Sequence, residues 1–254
     1  YLFKNCDGEE RTTENFSSKN GTLECLLETE NENSHTGYAY FNFKNTKNGK
    51  VYHKYENLIP GRYYRFTAYA KTNAQVSMYA ASDNDVSQVT FANVDSIINK
   101  ELIFKATSST MDVGFMFDED QDNKAYVVFD DYYLEEIHRE VLSTVQESSV
   151  KLASSKYLKT IKKPENIEVG KEVIISVEVR NYAGEVKFVD VLRNNKTYGG
   201  VIVSNTSSKS TSGSYYLEIP YIFEKDSDAI QLNFSGKLSV GNIYIYNNTQ
   251  YMMR

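Results

Sequence analysis

Tryptophan is absent from this sequence, and proline, cysteine and histidine are scarce, with three, two and three residues respectively among 254. The histidines, His35, His53 and His138, are isolated, so no His-x-x-x-His metal pair forms. There is no nucleophile elbow and no phosphate-binding glycine loop. Carboxylates abound, but no pair stands out as the acid and base of a glycosidase. Catalysis is therefore not expected. Long basic runs are missing too, and the net charge is −6. Nucleic acid needs a clustered positive field, so it is excluded as a partner. No apolar run reaches the length of a membrane span, and no signal-peptide pattern is present. The chain opens without Met in what looks like a strand, which predicts a piece of a longer parent chain. The two cysteines, Cys6 and Cys25, leave two readings open: a bridge in an oxidising compartment, or two buried thiols.

What is present is tyrosine, 21 residues of it, in a chain that is 41% hydrophobic and 24% charged. Those proportions describe a globular protein. Its length allows one large or two ordinary domains. Short alternating segments recur between polar turns, with little helical periodicity, which predicts a sandwich or barrel. Val76, Met78 and Ala80 share one face of a strand, with Ser77 and Tyr79 opposite. Asn48-Gly49 carries a hairpin-turn signal. Leu58 to Lys71 is a Pro-Gly turn followed by a strand. Its Tyr64, Phe66, Ala68 and Ala70 suit a core, and its Tyr63, Arg65, Thr67, Tyr69 and Lys71 suit a binding surface.

The most informative stretch is Lys124 to Ile137. Val127, Phe129 and Leu134 are apolar, yet Asp130 and Asp131 interrupt them. Aspartate is depleted in strands and costly to bury unpaired. The pair requires a cation, a network of backbone N–H donors, or a bulge, unless the strand simply ends there. The acidic run Asp118 to Asn123 begins like an EF-hand loop but lacks the required Gly and final Glu, and is read as a solvated hairpin loop.

Several motifs follow in order: Leu2-Phe3-Lys4-Asn5-Cys6-Asp7-Gly8-Glu9, Thr36-Gly37-Tyr38, the Pro-Gly strand, Phe104 to Ser109, and Phe129-Asp130-Asp131-Tyr132. Over roughly 135 residues this order resembles the β-jelly-roll carbohydrate-binding modules of families 4, 9 and 22. Similar modules occur in phage tail proteins and insecticidal protoxins. The resemblance implies a polysaccharide or cell-surface glycan as partner and an extracellular setting: secreted, cell-surface or virion. It also implies a structural calcium, carried here by Glu9 or Glu10 together with Asp130. The alternative for Asp130 is a carboxylate satisfied by backbone N–H groups.

Sugar binding uses aromatic faces against pyranose C–H patches, with planar polar groups for the hydroxyls, and tyrosine suits both tasks. The candidates are Tyr69 and Tyr79, with Arg65, Lys71 and Gln75 as polar partners and Tyr40 beside them. Docking is expected on the concave sheet of the first domain.

The second half repeats the pattern. Ile167 to Arg180 lies over Leu58 to Lys71 with Gly170 over Gly61. Phe223 falls over Phe104, Phe234 over Phe115, and Asn242 over Asp131. The expected organisation is all-β, two tandem jelly-roll-like β-sandwiches: a first domain over 1–138, a linker over 139–163, and a shorter copy over 164–254. A structural or interaction module without a sugar site, as in a tail, stalk or toxin accessory region, is the competing function.

Overall fold

A computed structural model describes residues 6–30, 32–83, 85–91, 94–117, 123–147, 150–151, 156–181, 185–205, 214–235 and 238–247. The acidic run at 118–122 and the first five residues lie outside that set. Every regular element among the described residues is a β-strand. Two units divide the chain, Tyr1–Glu136 and Ile137–Arg254.

The first unit holds β1 (Ser17–Leu27), β2 (Ala39–Tyr55), β3 (Tyr63–Thr72), β4 (Val76–Ala81), β5 (Val86–Phe91), β6 (Val94–Lys105), β7 (Met111–Met116) and β8 (Tyr126–Glu136). All its pairings are antiparallel. β2 pairs with β1 along its length, with β8 over Phe41–Lys44, and with β7 over Lys50–Tyr55. β3 lies between β8 and β6, and β4 between β7 and β5. Two sheets result, β1-β2-β8-β3-β6 and β2-β7-β4-β5, and β2 runs from one into the other. Strands that switch sheets do so at bends or bulges.

The bend is where a hairpin was expected. Asn48-Gly49 does not reverse the chain; it kinks a single long strand. Asn48 sits at φ 52° and the Gly49 N–H donates to Asn45 Oδ1 at 2.7 Å. A Cβ on Gly49 would come within 2.6 Å of the Asn20 carbonyl oxygen and of Asn45 Oδ1, so this corner needs glycine. The same left-handed residues that make a tight turn also make a bulge, and the apolar residues on both sides pull each half of the strand into a core.

Alternation then fills the space between the sheets. Phe41, Phe43, Phe66, Phe104, Phe115 and Phe129 are fully buried. Phe129 meets Phe41 and Phe115 with ring centroids 5.2 Å apart, and Phe16 at 5.5 Å. Tyr132 is buried with its hydroxyl donating to the Val113 carbonyl. Aromatic pairs of this kind contribute roughly 0.5–1.5 kcal/mol beyond their area burial.

The second unit holds β9 (Val141–Gln146), β10 (Val150–Lys151), β11 (Lys156–Lys162), β12 (Glu172–Asn181), β13 (Glu185–Arg193), β14 (Lys196–Asn205), β15 (Tyr215–Ile222), β16 (Ala229–Ser235) and β17 (Leu238–Asn247). β9 and β10 pair with β17, which pairs with β12, which pairs with β15. β11, β16, β13 and β14 form the other sheet.

The linker expected over 139–163 is thereby corrected. It supplies three strands, and Arg139 belongs to the second unit with its side chain buried. Its guanidinium pairs with Glu218, itself buried, and lies 3.8 Å from the Tyr246 ring centroid. The sequence hid this because β9 is half-exposed without a clean alternation, and β11 turns Leu158 outward while Lys159 shares the inner face with Ile161.

The local arrangement of the two units is alike. A glycine at positive φ, Gly61 or Gly170, precedes a strand flanked on both sides, β3 by β6 and β8, β12 by β15 and β17. Register refines the match: Tyr64 faces Phe104, whereas Val173 faces Tyr221. Tyr221, not Phe223, therefore stands where Phe104 stands. A shift of two residues keeps the same face, which is why the sequence could not separate them.

Candidate functional site

β8 carries the two aspartates that break its apolar pattern. Thr67 faces Tyr133 and Tyr69 faces Asp130, so one extra residue sits on β8 between them. Asp131 occupies that bulge at φ 48°, a left-handed conformation that aspartate tolerates. The bulge aims both carboxylates at the segment between β1 and β2.

Asp130 is fully buried and its oxygens are given over to N–H donors. The His35 N–H donates at 2.6 Å and the Thr36 N–H at 2.9 Å to one oxygen, and the Asp131 N–H donates at 2.7 Å to the other. Burial pushes the Asp130 carboxyl up to about 6; the Thr36 and His35 N–H bonds act in the opposite sense, and the Asp131 charge adds to the rise. Asp131 takes the His35 ring Nδ1 and the Thr36 hydroxyl, both at 2.6 Å. The His35 ring then lies flat on Tyr69, with centroids 3.4 Å apart and planes 7° from parallel.

Two more carboxylates hold the ends of the same segment. Glu28 accepts from the Ser34 N–H and hydroxyl at 2.7 Å and from the Asn33 N–H at 2.9 Å. Burial acts to raise the Glu28 carboxyl, but the Ser34 and Asn33 donors outweigh it and hold it below the usual range. Glu9 accepts from the Tyr38 N–H at 3.1 Å and the Ala39 N–H at 3.0 Å.

These contacts bear on the calcium expectation. Both Asp130 oxygens and Glu9 Oε1 accept from backbone N–H groups, and Glu10 is exposed. Among the described residues no three carboxylate, histidine or cysteine side chains converge as a metal site. Hard cations need several free oxygen ligands. Cys6 and Cys25 are both free thiols. Cys25 Sγ donates to the Gly8 carbonyl at 3.4 Å.

The six residues read from sequence as a sugar face divide. Tyr69, Lys71 and Arg65 share the outer face of β3, and Tyr40 stands on β2 of the same sheet. Several are already engaged within the chain. Tyr69 is half-buried under His35, and Lys71 Nζ donates to Asn33 Oδ1 at 3.1 Å. Arg65 is 3% exposed, paired with Glu101 at 3.3 Å and Glu135 at 3.1 Å. Tyr40 is half-buried, and burial followed by the Glu28 and Glu24 charges raises its hydroxyl. Gln75 lies half-buried in the turn before β4, off the β3 face. Tyr79 belongs to the other sheet and is 2% exposed, so it is corrected from platform to buried residue. Both faces of β4 are buried: Met78 faces Phe115 inside, and Ser77 hydrogen-bonds Thr90 at 2.7 Å on the opposite side.

An open cleft of about 650 Å³ lies on the flank of the β1–β2 segment. Leu27 and Tyr38, 51% and 58% exposed, line it with Arg11, Glu30, Glu32 and Asn33. Sequence reasoning passed over Tyr38, Leu27 and Arg11. Their signal was weak: Tyr38 starts an alternating strand, and only the course of the preceding segment turns its ring outward.

Neither a protein-family model nor a curated protein sequence matches the chain. Several solved structures are similar. The N-terminal CBM22-1–CBM22-2 tandem domain of Paenibacillus barcinonensis Xyn10C is 10% identical, with 94% of this chain and 95% of that one covered and a TM-score of 0.44. A CBM61 module solved with β-1,4-galactotriose is 14% identical over 53% of this chain and 97% of its own, with a TM-score of 0.40. The CBM22-1–GH10 modules of Clostridium thermocellum xylanase 10B, solved with xylohexaose, are 14% identical over 54% and 29%, with a TM-score of 0.40. By its own strands and their pairing the class is an all-β, jelly-roll-like sandwich protein. The similar solved structures named here are, or contain, carbohydrate-binding modules.

Proposed function

We propose that the chain is a non-catalytic glycan-binding region of a larger secreted, cell-surface or virion protein, and that the cleft beside Tyr38 is its contact site. One observation carries the reading: an exposed tyrosine ring and an exposed leucine share an open cleft rimmed by planar polar groups. Sugar rings present alternating C–H patches and hydroxyls. Tyr38 and Leu27 offer apolar contact to the first, and Arg11, Asn33, Glu30 and Glu32 offer donors and acceptors to the second. The site is shallow and pre-formed, which suits docking onto a polysaccharide chain. We read the second unit as a further copy of the same module. Repetition would raise avidity without any new contact.

The test is a polysaccharide array probed with the intact chain and with Tyr38→Ala. The reading expects binding of at least one glycan, weakened about tenfold or more in Tyr38→Ala at unchanged melting temperature. The competing reading, a structural or interaction module, draws on the self-paired β3 face, where Arg65, Lys71 and Tyr69 are all engaged within the chain. It is favoured if no glycan binds at high protein concentration.

A further inference from the structure

Residues 33–37 lie against the sheet face in a particular way. Both ends are pinned away from it, by Glu28 at Asn33–Ser34 and by Glu9 just past Gly37. The middle is fastened to the face through Asp130 and Asp131 and through the ring contact of His35 with Tyr69. Strand register sets Asp130 beside Tyr69 across β8 and β3. The polar and aromatic groups of this face are thus silenced by the chain itself: Tyr69 by a flat ring, Lys71 by Asn33.

We propose that residues 33–37 form an autoinhibitory strap, in which the His35 ring occupies the face of Tyr69 that a sugar ring would take. Lifting the strap would extend the binding surface from the cleft onto the sheet. Asn33 belongs to both places, lining the cleft and holding Lys71. A ligand long enough to leave the cleft would meet the strap next. Short ligands would use the cleft alone. The inference rests on the glycan reading and adds to it a length dependence under internal control.

A covered platform lowers apparent affinity by the fraction of open molecules. A single parallel ring contact with its tether is worth about three- to tenfold in that fraction. His35→Ala removes the ring and the Asp131 contact while leaving both backbone N–H bonds to Asp130.

The experiment is calorimetry with di- and hexasaccharides of β-1,4-linked glucose, xylose and galactose, on the intact chain, His35→Ala, and His35→Ala/Tyr69→Ala. Nitration of Tyr69, followed by peptide mass, is the second readout. The proposal expects His35→Ala to bind a hexasaccharide about three- to tenfold more tightly, with disaccharide affinity unchanged. The second substitution should cancel the gain, and Tyr69 should nitrate faster in His35→Ala. Hexasaccharide affinity unchanged or weaker in His35→Ala, with wild-type binding intact, overturns the strap and leaves the cleft reading standing. If no oligosaccharide binds to any of the three proteins, both fall together.

Discussion

The sharpest consequence of the Asp130 environment is its sign with pH. An ordinary aspartate titrates near 3.8, and burial lifts Asp130 to about 6. Between those values the folded chain holds a proton that the unfolded chain has released. The raised group therefore contributes stability that is fully present below 3.8 and lost as pH rises through about 6. A rise of that size corresponds to roughly 3 kcal/mol at about 1.4 kcal/mol per pH unit. Asp130→Asn removes this titration. Its side-chain carbonyl can still accept from the His35 and Thr36 N–H groups, but its amide would face the Asp131 N–H, costing on the order of 1–3 kcal/mol at every pH. The measurement is urea unfolding of both proteins from pH 4 to 7.5. Wild type minus Asp130→Asn should fall by about 2–3 kcal/mol across that range, with the constant hydrogen-bond cost cancelling. If the difference instead grows with pH, the ionised carboxylate is favoured in the fold and the reasoning is refuted. A cation held by Asp130 would give that opposite sign, so the same curve also bears on the calcium expectation.

Other outcomes follow from local geometry. Chelator should leave the melting temperature unchanged, because both Asp130 oxygens and Glu9 Oε1 already accept from N–H donors; a drop of several degrees would point to a bound metal. Gly114→Ala would place a Cβ 2.0 Å from the Val51 carbonyl oxygen and 2.7 Å from Tyr52 Cα, so the protein should lose several kcal/mol or fail to fold, read by denaturant unfolding. Arg65→Ala strands the half-buried Glu135 and should cost about 3–5 kcal/mol, and Arg65→Met, which strands it too, should cost nearly as much; a near-neutral Arg65→Met would count against the ion-pair account. Burial raises both cysteine thiols, so their alkylation at pH 7 should be slower than that of a free thiol, and fast labelling of either would contradict their placement.

Much was legible before any fold was known. Period-two alternation marked β3 correctly, down to its core face of Tyr64, Phe66, Ala68 and Ala70, because one buried face enforces the pattern over consecutive residues. The oddity of two adjacent aspartates in an apolar strand was legible as well. It demanded N–H donors, a bulge or a cation, and the first two are what the chain supplies. The matching glycines at 61 and 170 were visible because a positive φ leaves a mark at a single position.

The rest depended on partners distant in sequence. That Asn48-Gly49 bends a strand rather than ending one is decided by β7 and β8, which lie some sixty to eighty residues away and take different halves of β2. Residues 139–163 look like a linker until β16 and β17, at the far end of the chain, give their backbone groups a place to pair. Tyr79 and Tyr69 have the same local credentials, yet one is sealed in a sheet and the other lies under His35. Composition and period fix which residues must be buried and in what kind of element. Only the three-dimensional arrangement decides which carboxylate meets which N–H, and that Tyr38 is left facing water beside the cleft.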